Sequence, residues 1–246
     1  MAYVDLHCHM LPGLDDGARG LEDTIAHARR LEAAGVHDVA CTPHIKRLEF
    51  PRVEIARLAA LRGETQRVLE GFGIDVRLHG GGELAHEDAL WLGADDLELI
   101  AQGPEGGRWL LLECPFEGLD DGVVRAAERL CEHGYGVLLA HPERAAMIHG
   151  ADRRLRRLVA HGVLLQVNAT SLLGRHGAAA YAGAVRLLGE RLVWCLASDG
   201  HPGTRNDTLD RGHEAAERLG LDGVALTQDN PRTLLRDGAV HLPVAA

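Results

Sequence analysis

The histidines and carboxylates of this chain gather in short polar clusters separated by tens of residues, and their types point to metal ligation. His7 and His9 stand in Asp5-Leu6-His7-Cys8-His9, followed by Asp15-Asp16-Gly17. His44 closes Thr42-Pro43-His44, Glu83 follows Gly80-Gly81-Gly82, and Glu113 precedes Cys114-Pro115. His141 opens His141-Pro142-Glu143-Arg144, while Asp199 and His201 lie in Ser198-Asp199-Gly200-His201. Together His7, His9, Asp16, His44, Glu83, Glu113, His141, Asp199 and His201 offer five imidazoles and four carboxylates. Such a mixed donor set suits first-row ions such as Mn2+, Fe2+ or Zn2+, and it exceeds what one ion takes. Two or three ions sharing bridging carboxylates is the natural reading. Clustered ions of this kind clamp the oxygens of a phosphoryl displacement and lower the pKa of bound water.

Each cluster follows a short apolar run. The runs are Ala2–Leu6, His37–Cys41, Val76–His79, Trp109–Leu112, Gly136–Ala140, Leu164–Val167 and Val193–Ala197. Between them lie stretches with helical spacing: Leu21–Ala34, Arg52–Gly71, Gly122–His133, Arg153–His161, Ala178–Gly189 and Leu209–Leu219. Gly35, Gly134, Gly162 and Gly220 follow four of these helices and read as left-handed C′ residues. Strand–helix alternation with wholly apolar strands indicates parallel strands covered by helices. Seven such units predict a barrel one strand short of eight, with a doubly wound open sheet as the alternative. In a parallel barrel the C-terminal strand ends share one rim, so distant clusters would meet there.

Taken singly, each residue has a plainer role. A His-x-His pair arises readily in a chain with 15 His. Asp16 would cap a helix, Asp199 would end a turn with Gly200, and His44 or His141 would be a hydrogen-bonded buried histidine. It is the shared position after strands that favours ligation. His27, His37, His86, His133, His149, His161, His176, His213 and His241 lack that position and are expected at the surface. Gly80-Gly81-Gly82 has no phosphate-loop Lys after it and reads as room for Glu83 to reach the rim. Cys41 and Arg47 have the spacing of a cysteine-phosphatase loop. Pro43 inside it lacks an N–H and no glycine relaxes the turn, so the thiol mechanism is set aside.

These motifs resemble the PHP (polymerase and histidinol phosphatase) superfamily, and within it the CpsB/CapC-type bacterial protein tyrosine phosphatases. The match spans nearly the whole chain. Beyond the clusters it includes Leu11-Pro12-Gly13-Leu14, Gln166-Val167-Asn168-Ala169 and a closing Asn230-Pro231. The resemblance implies a distorted TIM-like (β/α)7 barrel carrying two or three divalent ions, Mn2+ foremost, with Fe2+, Zn2+ or Mg2+ as alternatives. It implies dephosphorylation of tyrosines on the tail of a bacterial tyrosine autokinase that controls capsule or exopolysaccharide synthesis. Carried over by position, Arg144 and Arg205 become the phosphate-binding arginines. In the mechanism that follows, His201 or Asp199 would lend a proton to the leaving oxygen, a choice the sequence leaves open. Many relatives have a second His where this chain has Ile45. With three each of Phe, Trp and Tyr, the aromatic residues expected around a phosphotyrosine pocket are scarce.

Composition bounds the alternatives. One domain over residues 1–246 is expected, with 46% hydrophobic residues to fill its core. A net charge of −10 argues against a nucleic-acid or anionic-membrane surface. Five cysteines without a C-x-x-C pair fit a reducing compartment, and no signal-peptide pattern opens the chain, so the expected location is the cytoplasm. Competing functions are a small-molecule phosphatase acting on histidinol phosphate or a nucleotide, an amidohydrolase, and a regulatory module that keeps metals for folding. Glu113 and Asn168 stand where an amidohydrolase has a modified Lys and a His. A purely structural metal site would have no use for Arg144.

Overall fold

The computed structural model of the chain describes residues 2–146, 148 and 152–239. Its first half runs β1 (Tyr3–Cys8), α1 (Leu21–Ala33), β2 (Val36–Cys41), β3 (His44–Ile45), α2 (Leu58–Gly71), β4 (Arg77–His79) and β5 (Glu83–Leu84). Then come α3 (His86–Ala89), α4 (Ala94–Ile100), β6 (Trp109–Glu113), α5 (Asp121–Glu132), β7 (Gly136–Ala140) and α6 (Asp152–Ala160). The chain continues through β8 (Leu164–Asn168), α7 (Ala169–Leu172), α8 (Gly177–Gly189), β9 (Val193–Ala197), α9 (Leu209–Arg218) and α10 (Asn230–Asp237).

All strand pairs are parallel, in two sheets ordered β1-β2-β4 and β3-β5-β6-β7-β8-β9. The sheets are parts of one wall. β2 resumes as β3 after Thr42-Pro43, and β4 resumes as β5 after Gly80-Gly81-Gly82. Counting each broken strand once leaves seven strand positions, as the apolar runs predict. The wall is distorted at the breaks, and β9 meets β1 through a single parallel bridge, Cys8 to Gly200. Beside the bridge the Asp199 N–H donates to the His7 carbonyl at 3.0 Å, and Asp5 Oδ1 accepts the Ser198 N–H at 3.0 Å.

Local sequence accounts for the helices. Asp120 caps α5 by accepting the Gly122 and Val123 amides, and Val123, Val124, Ala126, Ala127 and Leu130 form its buried stripe. Glycines 35, 134, 162 and 220 all have φ between 74° and 86°, the left-handed geometry their C′ positions require. Inside the barrel Val4, Leu6, Trp109, Leu111, Leu138, Ala140 and Cys195 pack with Leu234 of α10. That helix closes the end opposite the rim: Trp109 Nε1 donates to the Leu234 carbonyl and Arg232 to that of Ala2. Among the described residues no helix is long and apolar enough to cross a membrane.

The strands extend past the apolar runs. β1 continues to Cys8, β6 to Glu113 and β8 to Asn168, so His7 and Glu113 lie on strands rather than after them. The glycine run does more than give Glu83 room to reach the rim. A Cβ on Gly82 would come 2.7 Å from Ile45 Cγ1, and one on Gly81 2.8 Å from Gln102 Nε2, so these positions are bare because neighbours press on them. The expectation for His27 is overturned. It is fully buried on α1, 3.7 Å from Cys8 Sγ, and burial pushes its ring down to about 4. An apolar helix face, not a solvent face, is what its spacing encoded. His149 and His241 lie outside the described residues.

Candidate metal centre

All nine clustered residues converge on the C-terminal rim of the strands. His9, Asp16, His44 and His201 form one potential ligand group, and His7, Glu83 and His141 another. His7 and His9 join Asp199 in a third, and His44, Glu83 and Glu113 make a fourth. Within each group the ligand atoms lie within 4.8 Å of one another. β1 supplies His7 and is followed by His9, β3 begins at His44, β5 at Glu83, and β6 ends at Glu113. His141 and Asp199 directly follow or lie just beyond β7 and β9 with φ of 37° and 50°. Left-handed backbone at two non-glycine strand ends is strain that the surrounding structure must hold in place.

Glu83 is the hub. Its Oε2 has His7 Nε2 at 3.3 Å, His9 Nε2 at 3.2 Å and His44 Nδ1 at 3.1 Å around it. Yet that buried oxygen makes no hydrogen bond, and neither does His44 Nδ1 or His141 Nδ1. Its Oε1 lies 2.7 Å from His141 Nε2. Side chains beyond the cluster decide which ring nitrogens face inward. His9 Nδ1 donates to Asp15 Oδ2 at 2.8 Å and His7 Nδ1 to Gln166 Oε1 at 3.0 Å. With both Nδ1 protons committed outward, the two Nε2 atoms meet 3.2 Å apart. Either at least one of them carries a second proton that the other accepts, or both present lone pairs to a cation. An orphaned carboxylate oxygen amid inward-facing ring nitrogens is what a bridging ligand provides, so these residues fit a polynuclear divalent centre.

The electrostatics agree. Burial alone would lower His9, but the carboxylates of Asp15 and Glu83 outweigh it and hold the imidazole well above its usual range. Burial likewise opposes His7, and Glu83 and Asp199 raise it. Glu83 and Asp199 are held below the carboxylate range because their histidine and arginine neighbours outweigh burial. Glu113 is pushed up to about 8, first by burial and then by the Glu83 charge. The acids thus demand positive charge, which protons supply in the protein alone and divalent ions supply better.

Arg144 and Arg205 both reach the centre. Arg144 donates to Asp199 Oδ2 at 2.7 Å, and the Arg205 guanidinium packs against His201 and lies 3.2 Å from Asp199 Oδ1. Asn168 also donates to Asp199 Oδ2, at 2.8 Å, completing a relay from His7 through Gln166 and Asn168. His7 and Arg205 outweigh burial and hold the Asp199 carboxyl below its usual range, which suits a ligand better than a proton donor. Cys41 is buried at the end of β2, where burial pushes its thiol up to about 12, so no thiolate nucleophile is poised there.

Sequence reasoning missed Asp15, Gln166, and Phe50 and Phe116, whose rings flank His44 and His141. Asp15 stands in the shadow of its neighbour Asp16, and only the fold shows that both carboxylates meet the rings, Asp15 on His9 and Asp16 on His201. Replacing it by Asn should weaken metal affinity about 10–100-fold while leaving the fold intact, measured by titration of the stripped protein with Mn2+. Unchanged affinity would make Asp15 a loop-shaping residue only, through its bonds to the Gly17 and His44 amides.

The comparisons with known proteins converge with this geometry. The family described as capsular polysaccharide synthesis, CpsB/CapC, matches residues 3–236. The tyrosine-protein phosphatase YwqE of Bacillus subtilis (strain 168) is 29% identical over 250 residues, covering 96% of this chain and 93% of that protein. A solved structure from the pair YwqE of B. subtilis and CpsB of Streptococcus pneumoniae, described as metal-dependent tyrosine phosphatases, superposes with a TM-score of 0.81. It is 26% identical, covering 96% of this chain and 94% of that one. A histidinol phosphate phosphatase from Lactococcus lactis subsp. lactis Il1403 is 9% identical with a TM-score of 0.51, covering 93% of this chain and 100% of that one, and shares the fold alone. The chain belongs to the CpsB/CapC family of capsular polysaccharide synthesis proteins.

Proposed function

We propose that this chain, as one PHP-type domain over residues 1–246, is a metal-dependent protein tyrosine phosphatase. The observation that carries it is Arg144 held on Asp199 at the edge of a cluster of nine metal-type donors, a cation fork beside a place for several ions. Its ligands are His7, His9, Asp16, His44, Glu83, Glu113, His141, Asp199 and His201, with two or three divalent ions, Mn2+ first. Bound there, the ions would supply Lewis-acid stabilisation of the phosphoryl oxygens and an activated water.

The chain's own residues do the rest. Arg144, with Arg205 beside it, binds the non-bridging phosphate oxygens through its planar donors. Asp199 keeps both arginines in place. Asp15 and Gln166 hold His9 and His7 with Nε2 turned inward. A tyrosinate, with a conjugate-acid pKa of about 10, leaves without strong general-acid help. His201 is the one catalytic candidate left to hold a proton near it. The substrate we assign is a phosphotyrosine-bearing protein, specifically the tail of a bacterial tyrosine kinase governing capsule or exopolysaccharide synthesis, in the cytoplasm.

Chelation followed by Mn2+ add-back tests the reading, with a phosphotyrosyl peptide and histidinol phosphate assayed in parallel. Activity should disappear with the metal, return with Mn2+, and favour the peptide. Full activity in stripped protein would overturn metal dependence. A preference for histidinol phosphate would move the substrate to the small-molecule class.

A further inference from the structure

The rim carries an arc of rings. From one end it runs Phe50, His44, His9, His7, His141, Phe116, with successive centroids 4.9, 4.6, 5.3, 5.5 and 5.7 Å apart. The chain has only three phenylalanines, and two of them end this arc. Phe50 lies parallel on His44 and buttresses it. Phe116 differs: it is 48% exposed, and the Arg144 guanidinium sits over its face at 4.3 Å from the ring centre. Beside this pair an open cavity of about 290 Å³ is walled by Phe116, Ala145, Ala146, Ile148, Ala179 and Ala180 on its apolar side and by Arg144, Glu143 and His176 on its polar side. Apolar cavities of about 150 Å³ hold a benzene ring, so this one has room for a phenyl group.

We infer that this cavity receives the aryl ring of the leaving group, and that Phe116 is the residue that distinguishes aryl from alkyl phosphomonoesters. The inference rests on the phosphatase reading and deepens it. A phosphate gripped by Arg144 lies within a side chain's length of the Phe116 face, so the ester group must enter or skirt this cavity. An aryl ring fills it against Phe116 in offset or edge contact, whereas a short alkyl group leaves it wet. Where aromatic residues are scarce, one well-placed phenylalanine and small apolar side chains take the part of an aromatic lining.

The test compares benzylphosphonate and methylphosphonate as competitive inhibitors of the metal-replete protein. The parent should bind the benzyl compound more tightly. Phe116→Ala should raise its inhibition constant about fivefold to tenfold and shift the methyl compound's less than twofold, whereas Phe116→Tyr should keep the parent preference. Bound metal is measured in each variant to confirm an intact centre. Equal weakening of both compounds, or of neither, would overturn the assignment. Should the parent hydrolyse phosphotyrosyl peptide yet not prefer the benzyl compound, the cavity assignment alone fails. Should it hydrolyse no phosphomonoester at all, the phosphatase reading fails first.

Discussion

A Glu83→Gln chain is expected to lose most of its bound divalent metal and on the order of 10³-fold of its turnover, the largest effect of any single change at the rim. The reason is topological as much as electrostatic. Glu83 sits in three of the contacts that draw His7, His9 and His44 together through one oxygen, and its second oxygen engages His141. The amide keeps the shape but cannot offer two anionic oxygens to shared ions. Nor can it balance the positive charge of His7 and His9, whose rings are raised by acids that include Glu83. Those rings can shed their protons, so the fold should survive. Metal analysis with thermal unfolding checks both halves. Full metal content with full activity in Glu83→Gln would remove the hub role.

Arg144→Ala is expected to lower kcat about 10²–10³-fold while leaving metal content at the parent level. Asp199, the residue that Arg144 anchors, keeps two other donors in Asn168 and Arg205, so its position should hold without the arginine. What disappears is the planar fork aimed at the phosphate. Lys at this position restores charge without the bidentate geometry and should recover only part of the loss. If metal content falls together with kcat, Arg144 is a scaffold for Asp199 rather than a phosphate clamp. That outcome would also weaken the case for the adjoining cavity.

Much of this was legible in the sequence because a parallel barrel turns a local signal into a global one. An apolar run followed by His, Asp or Glu marks a strand end, and every strand end lies on the same rim. His7, Glu113, His141 and Asp199 could therefore be placed together without knowing any pairing. The splits in the wall were not legible. Pro43 and Gly80-Gly81-Gly82 are local stop signals, yet β3 and β5 resume beyond them because His44 pairs with Glu83 and Ile45 with Leu84 across the sheet. Only contacts between residues about 40 positions apart decide that. The choice between Asp15 and Asp16 failed to reveal its second half for a similar reason, since adjacent carboxylates differ only in which way the loop turns them. His27 shows the converse, a histidine whose helical spacing was visible and whose burial against Cys8 depended on where β1 runs.

The joint between β9 and β1 makes the barrel a clasp rather than a hoop. Six junctions join the seven strand positions by backbone ladders, but here one bridge, the Asp199 amide on the His7 carbonyl and the Asp5 carboxylate do the fastening. His7 and His9 lie on one lip of that joint, Asp199 and His201 on the other. Whatever engages both lips at once also favours their staying shut, so occupancy of the rim and closure of the wall are thermodynamically linked.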